Sequence, residues 1–226
     1  MLEVRGLEAG YGASRVVHGV DLAAVGGEVV SLVGRNGVGK TTTLKAIMGL
    51  VDVHGGEVRV RGETITPAPA LASRRGIGYV AQQREICPDL TVEENLLVPL
   101  YANRLDVRKV ELAYKRFGRL AERRAQVAGS LSGGERKLLA FARIMLLEPS
   151  IYLIDEPTEG LMPKAVDEIG GVIAELAGAG ACVVLVEQNL ALLRQLSTRV
   201  YLMNNGRVEA TADTLGAAEA ERFLGI

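Results

Sequence analysis

The segment Gly34-Arg35-Asn36-Gly37-Val38-Gly39-Lys40-Thr41 follows the spacing G-x-x-x-x-G-K-[ST], and residue types in that order can hold a polyphosphate. Glycine lets the backbone at Gly34, Gly37 and Gly39 take conformations closed to other residues, so successive N–H groups and a helix N-terminus can converge on phosphate oxygens. Lys40 adds a point charge for the β and γ phosphates, the Thr41 hydroxyl is a ligand for Mg²⁺, and Thr42 stands beside it to back the same phosphates. A glycine turn that only caps a helix has no need of the lysine. The second chemical element is Asp155-Glu156, at the end of the apolar run IYLI. A carboxylate at the C-terminal end of a buried parallel strand faces the ligand crevice of an α/β sheet. There Asp155 can hold Mg²⁺ through water, and Glu156 can orient and deprotonate the water that attacks a γ phosphate. Alone, two adjacent acids would read as a solvated strand end. The third element, Leu131-Ser132-Gly133-Gly134-Glu135, opens a helix upstream of the acids. Ser132, Gly133 and Gly134 form another anion-binding helix N-terminus, and Ser132 with Glu135 also fits a capping box; both readings can hold together. One chain does not obviously need two phosphate cradles.

These residues work only if the elements around them place them. The apolar run Val29–Val33 precedes the first glycine, and Leu44, Ile47, Met48 and Val51 recur after it at helical spacing, so the loop joins a buried strand to an amphipathic helix. The valine-rich segments LEVRG, RVVHGV and GEVRVRGETI, bounded by glycine, predict an N-terminal antiparallel β subdomain. Ile77–Ala81 is a further short strand. From Pro88 to Gly129 the composition turns to helix formers and arginine, which predicts an inserted helical subdomain over about 87–135. Glu135–Leu147 and Lys164–Ala177 read as helices, and Ile151–Ile154 and Cys182–Val186 as continuous apolar strands of a parallel sheet. Val200–Met203, Asn205-Gly206 and Val208–Ala210 spell a hairpin. The expected architecture is α/β, with a mixed, mainly parallel central sheet. It forms one domain over 1–226, whose core is 1–86 and 136–226.

Composition narrows the classes. The chain has 226 residues, 48% of them apolar and 23% charged, enough for a substantial core in a single domain. A net charge of −1 supplies no bulk field for a phosphodiester backbone, so nucleic acid is not an expected partner. Cys87 and Cys182 are isolated, without CxxC spacing, and support neither a disulfide framework nor a zinc site. The start MLEVRGLEAGYG lacks a basic stretch followed by an apolar one, and no apolar run approaches the ~20 residues of a membrane span. Neither a secretion signal nor a span is expected. Both histidines, His18 and His54, precede residue 55, so the chemistry beyond must proceed without imidazole.

Taken together, the three motifs resemble those of the ATP-binding cassette family over essentially the entire chain. GRNGVGKT is similar to its Walker A loop, LSGGE to its signature and IYLIDE to its Walker B strand. The resemblance implies a P-loop NTPase fold, ATP with Mg²⁺, and a head-to-tail sandwich in which the signature of one subunit completes the ATP site of the other. By the same resemblance, Tyr11 in AGYG matches the aromatic residue that stacks on adenine; otherwise it is a turn tyrosine. Gln82 in GYVAQQ matches the glutamine, at the junction with the helical subdomain, that touches Mg²⁺ or the attacking water. Gln83 is its neighbour and rival, and both would also pass as loop amides. Two departures stand out. Met162 occupies the position before proline where many members carry aspartate, which removes a carboxylate available for signalling between subunits. Gln188 stands where the family commonly has a histidine against the γ phosphate. An amide still donates to a phosphate oxygen and accepts from water, without becoming cationic. Gln188 is thus expected to sense the γ phosphate, with Glu156 as the base; a structural or defective position is the alternative.

The EQN turn, the TEGL-x-P loop, DLTVEEN over Asp89–Asn95 and the FLGI ending resemble the second ATP-binding subunit of uptake systems for branched-chain amino acids or for urea and short amides, where glutamine is common at this place. The resemblance implies ATP-driven dimer closure coupled to solute uptake, with branched-chain amino acids ahead of urea and short amides. A soluble, non-transport cassette is the remaining alternative, but those usually carry a coiled coil, a zinc module or a second cassette. The implied partners are a second cassette, membrane permease chains meeting Gln82–Asn95 and, indirectly, a solute-binding protein. The implied location is the cytoplasmic face of the cell membrane, as a peripheral subunit.

Overall fold

Every position of Ile151–Asp155 and Cys182–Val186 is buried, because both faces of the strands they form are covered. Alternate residues go to opposite sides. Tyr152, Ile154, Val183 and Leu185 enter one core, while Ile151, Leu153, Cys182, Val184 and Val186 enter another. A continuous apolar run is what a strand with two covered faces requires.

The computed structural model describes residues 1–83, 86–214 and 216–224, with the backbone alone for 217–220. In chain order the elements are β1 (Leu2–Tyr11), β2 (Ser14–Ala24), β3 (Val29–Val33), α1 (Lys40–Met48), β4 (Asp52–Val60), β5 (Glu63–Ile65), α2 (Pro69–Arg74) and β6 (Ile77–Val80). There follow α3 (Val92–Ala102), α4 (Val110–Arg116), α5 (Gly118–Glu122), α6 (Gly133–Met145), β7 (Ile151–Asp155) and α7 (Pro163–Gly178). The chain continues through β8 (Cys182–Val186), α8 (Leu190–Leu196), β9 (Arg199–Asn204), β10 (Arg207–Ala212) and α9 (Ala217–Leu224).

The strands form two sheets. One is antiparallel, in the order β2-β1-β4-β5; the other runs β10-β9-β3-β8-β7-β6. In the second sheet β9, β3, β8, β7 and β6 are parallel, and only β10 is antiparallel. The antiparallel sheet and α1 bury Leu7, Val20, Leu44 and Ile47 against one face of the second sheet. Helices α6 and α7 cover the opposite face with Leu139, Phe141, Ile169 and Ile173, and this core extends to Leu96 and Leu100 of α3. The α/β architecture, the N-terminal antiparallel sheet and the helices inserted between β6 and β7 agree with the expectation.

Local differences have simple causes. GEVRVRGETI is two strands, because Arg61 and Gly62 turn the chain at φ 52° and 84°. At the other end, Asn205 and Gly206 make the expected hairpin turn with φ 45° and 74°. Helix α3 is N-capped by Thr91, whose hydroxyl accepts from Glu94 N at 3.2 Å while the Glu94 carboxylate accepts from Thr91 N at 2.7 Å. Phe223 of the FLGI ending packs against Val33, Leu193, Val200 and Leu202; Gly225 and Ile226 lie outside the described residues, as do 84 and 85 of the Gln82–Asn95 stretch. Among the described residues no helix is long and apolar enough to cross a membrane.

Helix α7 begins with an unused opportunity. Met162 is its N-cap, is 78% exposed and makes no capping bond, with Pro163 in the first turn. An N-cap carboxylate accepts from the free N–H groups and sits favourably at the positive helix end, worth about 1 kcal/mol. Met162→Asp is expected to raise Tm by about 2–4 °C in a thermal unfolding scan. An unchanged or lower Tm would show that the turn before Pro163 does not present this side chain to the helix end.

Candidate functional site

Strands β3, β7 and β8 are adjacent and parallel, so their C-terminal ends open on one edge of the sheet. From that edge emerge the Gly34–Gly39 loop, the pair Asp155-Glu156, and Glu187-Gln188. Chain direction alone brings these three distant segments to one crevice.

The loop leaves β3 and enters α1. Gly37 and Gly39 have φ of 81° and 107°, in the left-handed region that glycine tolerates. Gly34 is different. Its φ is not positive; its constraint is space, since a Cβ there would lie 2.4 Å from the Met203 carbonyl oxygen. Lys40 is buried, and its Nζ donates to the carbonyl oxygens of Gly34 at 2.8 Å and Arg35 at 3.0 Å. The loop is thereby folded around its own lysine. Burial pushes the Lys40 ammonium below the ordinary lysine range, opposed by the negative charges of Glu156 and Asp155. The first backbone bond of α1 runs from Thr43 N to Gly39 O at 2.8 Å, which leaves the N–H groups of Lys40, Thr41 and Thr42 outside the helical ladder. With no acidic residue in that turn and no side-chain cap, the positive end of α1 is open to an anion.

Across the crevice, Asp155 is fully buried. Its Oδ1 accepts from the Thr41 hydroxyl at 3.0 Å and its Oδ2 from the Tyr79 hydroxyl at 3.0 Å. A hydroxyl and a carboxylate in contact beside a phosphate loop are the hard oxygen donors that Mg²⁺ takes. Burial raises the Asp155 carboxyl above its ordinary range, opposed by the bonds from Thr41 and Tyr79 and by the charges of Lys45 and Lys40.

Glu156 carries a φ of 43° and is 7% exposed; this left-handed turn directs the chain out of β7. Gln188 Nε2 donates to its Oε1 at 2.8 Å and also to Asn36 Oδ1 at 2.7 Å. Gln82 Nε2 donates to its Oε2 at 2.9 Å, and to Glu159 at 2.7 Å. Lys40 Nζ stands 3.8 Å from Oε1. Glu156 is therefore flanked by two neutral amides and one cation, at the mouth of the phosphate loop.

Tyr11, Asn36, Gly37, Gly39, Lys40, Thr41, Thr42, Gln82 and Glu156 line one cleft, with Tyr11 exposed at its rim. Gln82 reaches this cleft, but its amide nitrogen is engaged by two carboxylates and not by the Thr41–Asp155 pair. Ser132, Gly133 and Gly134 are not in it. Gly133 lines a second depression that shares Gln82, Glu156 and Glu159 and also contains Gln83. The Ser132 capping box is present: Ser132 Oγ accepts from Glu135 N at 3.3 Å, and the Glu135 carboxylate accepts from Ser132 N at 3.0 Å. Gly134 also serves packing, because a Cβ would fall 2.9 Å from that of Ala165 on α7. Sequence reasoning missed Tyr79, Glu159 and Glu187. Tyr79 lies within GYVAQQ and Glu159 within TEGL, yet nothing in their local pattern indicates a contact to a distant acid.

A glycine loop joining a parallel strand to a helix, its lysine at the loop carbonyls, and a threonine–aspartate pair across the crevice define a P-loop nucleotide hydrolase. The chain belongs to the ABC transporter family, whose description matches residues 17–159, and as a member it binds ATP and hydrolyses it in service of transport. It is 36% identical over 201 residues to the high-affinity branched-chain amino acid transport ATP-binding protein BraG of Pseudomonas aeruginosa, covering 88% of this chain and 86% of that one. It is 35% identical to the probable branched-chain amino acid transport ATP-binding protein LivF of Archaeoglobus fulgidus, covering 99% and 96%. With the lipopolysaccharide export system ATP-binding protein LptB of Haemophilus influenzae it shares 33% identity over 93% of this chain and 90% of that one. Among solved structures, a nucleotide-free ATP-binding cassette from an ABC transporter superposes with a TM-score of 0.85 at 26% identity, covering 100% of this chain and 95% of that one.

The raised Asp155 carboxyl has a consequence for stability. A folded-state value above the unfolded one means that folding takes up a proton between the two, so this group removes stability as pH rises through that window. Asparagine can accept from Thr41 and donate to Tyr79 without the buried charge. Asp155→Asn is expected to match or exceed the parent's Tm without nucleotide at neutral pH, with an advantage that shrinks toward pH 4, and to lose Mg²⁺-dependent ATP turnover. Parallel thermal scans across pH check this; a variant less stable at neutral pH than at acid pH, relative to the parent, would contradict it.

Proposed function

We propose that this chain binds Mg·ATP on the Gly34–Thr41 loop, hydrolyses it with Glu156 as general base, and uses the resulting opening and closing of paired cassettes to drive uptake of branched-chain amino acids. The observation that carries the chemistry is the Glu156 carboxylate, set at the loop mouth between the Gln188 and Gln82 amides and 3.8 Å from Lys40. In the step, Glu156 takes a proton from water, the water oxygen bonds to the γ phosphorus, and the bond to the β–γ bridging oxygen breaks to leave ADP and phosphate. Lys40 exchanges the loop carbonyls for phosphate oxygens. Gln188, already donating toward Asn36 and Glu156, offers its amide to the γ phosphate. Thr41 and Asp155 would hold Mg²⁺, which neutralises charge on the phosphates. Gln82 reports on Glu156 from the side of the inserted helices, and Tyr11 stacks on the adenine.

Ser132, Gly133 and Gly134 act in a second cassette's site. Their place outside this chain's own phosphate cleft supports that reading, as does a helix start equipped to bind an anion. The division into a core of 1–86 and 136–226 and a helical part of about 87–135 fits a lever between nucleotide and membrane. Permease chains would meet that lever near Gln82–Asn95, a solute-binding protein would act through them, and the subunit would sit on the cytoplasmic face of the membrane. The likeness to BraG and LivF supports branched-chain amino acids as the solute. The likeness to LptB favours a second reading, an ATPase of lipopolysaccharide export, and co-purification of the intact complex with identification of its membrane chains separates the two.

Two variants test the chemistry. Glu156→Gln is expected to slow steady-state ATP turnover by about 10²-fold or more while retaining ATP binding; a smaller effect moves the base elsewhere. Ser132→Arg is expected to abolish ATP-dependent dimerisation in size-exclusion chromatography yet leave nucleotide binding by the monomer intact. Lost monomer binding would sink the role in the partner's site.

A further inference from the structure

The chemistry above makes no use of Glu187, which follows β8 directly and is 3% exposed. Its Oε2 accepts from the Thr158 hydroxyl at 2.7 Å and from Thr158 N at 3.3 Å. Its Oε1 accepts from Gln188 N at 2.7 Å and from Asn189 N at 3.1 Å. A buried carboxylate loses its hydration, and a site keeps one only where hydrogen bonds replace that hydration. Its two oxygens accept all four of these bonds, whereas an amide or a hydroxyl has a single oxygen to offer.

The two groups of donors belong to different turns. Thr158 is in the turn after β7, which Glu156 opens. Gln188 and Asn189 form the turn after β8, where Gln188 reaches Glu156 and Asn36, and Asn189 caps α8 by accepting from Leu192 N at 3.1 Å. Past the rung where Asp155 pairs with Val186, one more backbone bond joins the strands, from Glu156 N to Val186 O at 2.8 Å, and the ladder between β7 and β8 ends there. Glu187 replaces it as the tie.

We propose that Glu187 is a positioning residue for hydrolysis: it locks the turn carrying the general base to the turn carrying the γ-phosphate contact. The proposal rests on the roles given above to Glu156 and Gln188. Its effect runs through the side-chain placement of Gln188 against Glu156, and small misplacements of reacting groups cost up to about 10²-fold in rate. Glu187 itself bonds to Thr158, Gln188 and Asn189 and reaches the phosphate loop only through the Gln188 contact to Asn36, so the loss is expected in kcat and not in nucleotide affinity.

The test is steady-state ATPase kinetics on the full chain, with thermal unfolding to establish that each variant is folded. Glu187→Ala is expected to lower kcat by about 10²-fold with KM for ATP within about threefold of the parent. Glu187→Gln is expected to recover most of that rate, because its oxygen can keep the Gln188 and Asn189 N–H groups while its amide donates to the Thr158 hydroxyl. In a Gln188→Ala background, Glu187→Ala should add little further loss. Parental kcat in folded Glu187→Ala, a loss carried by KM, or the same fold-loss in the Gln188→Ala background would each overturn the proposal. If Glu187→Ala does not fold, Thr158→Val decides: a kcat loss of about tenfold at unchanged KM supports the tie, and parental kcat refutes it. Glu156→Gln in the same assay keeps the two ideas apart. If it is impaired while Glu187→Ala is fully active, only the positioning role falls; if it turns over at the parental rate, the base assignment falls and takes the positioning role with it.

Discussion

Val186 pairs with Leu32 of β3 on one side and with Asp155 of β7 on the other. That rung of the parallel sheet sets the relative height of the three chain segments that make up the crevice. Immediately past it come the phosphate loop, Glu156 and Glu187-Gln188. A shift of one residue along any of the three strands would move its outgoing segment by about 3.3 Å and reverse which side chains enter which core. The contact between Thr41 and Asp155 at 3.0 Å would not survive it. The continuous burial of β3, β7 and β8 is therefore a condition of the chemistry as well as of stability.

On that frame, charge is concentrated where water is scarce. Lys40, Asp155 and Glu156 are all nearly inaccessible, and each is balanced in its own way. Lys40 leans on loop carbonyls, Asp155 on two hydroxyls, and Glu156 on two amides with Lys40 nearby. The amide at Gln188 is the distinctive choice. An imidazole there would alter its charge near neutral pH, whereas an amide donates to Asn36 and Glu156 with the same polarity at any physiological pH. With glutamine at this position the crevice is connected, Gln188 linking Asn36 of the phosphate loop to Glu156.

Legibility in the sequence followed the range of the physics. The strands β7 and β8, the helix after the phosphate loop, the capping box at Ser132 and the Asn205-Gly206 turn were readable because each depends on residues close in the chain. Gly34 was readable as necessary but for a different reason from the one expected: the approach of Met203, far along the chain, excludes its side chain. The Arg61-Gly62 turn was hidden inside a run of strand formers, since arginine gives no sign of a left-handed turn. Tyr79 and Glu187 could not be found at all. A tyrosine in a strand and a glutamate at a strand end are ordinary locally, and their significance lies in partners on neighbouring strands.

From residue types and spacing came the phosphate loop, the acidic pair, the class of chemistry they allow and the absence of histidine beyond residue 55; the motifs together carried the resemblance that gave the family. These are properties of short segments, where the chemistry demands particular residues at fixed intervals. The tertiary structure decided how the segments meet: that Gln188 bridges Asn36 and Glu156, that Gln82 is held between two carboxylates, that the signature glycines stand outside their own chain's cleft, and that Glu187 ties two turns together. Hydrogen bonds between segments far apart in sequence depend on the pairing of parallel strands, and that pairing exists only once the sheet has formed.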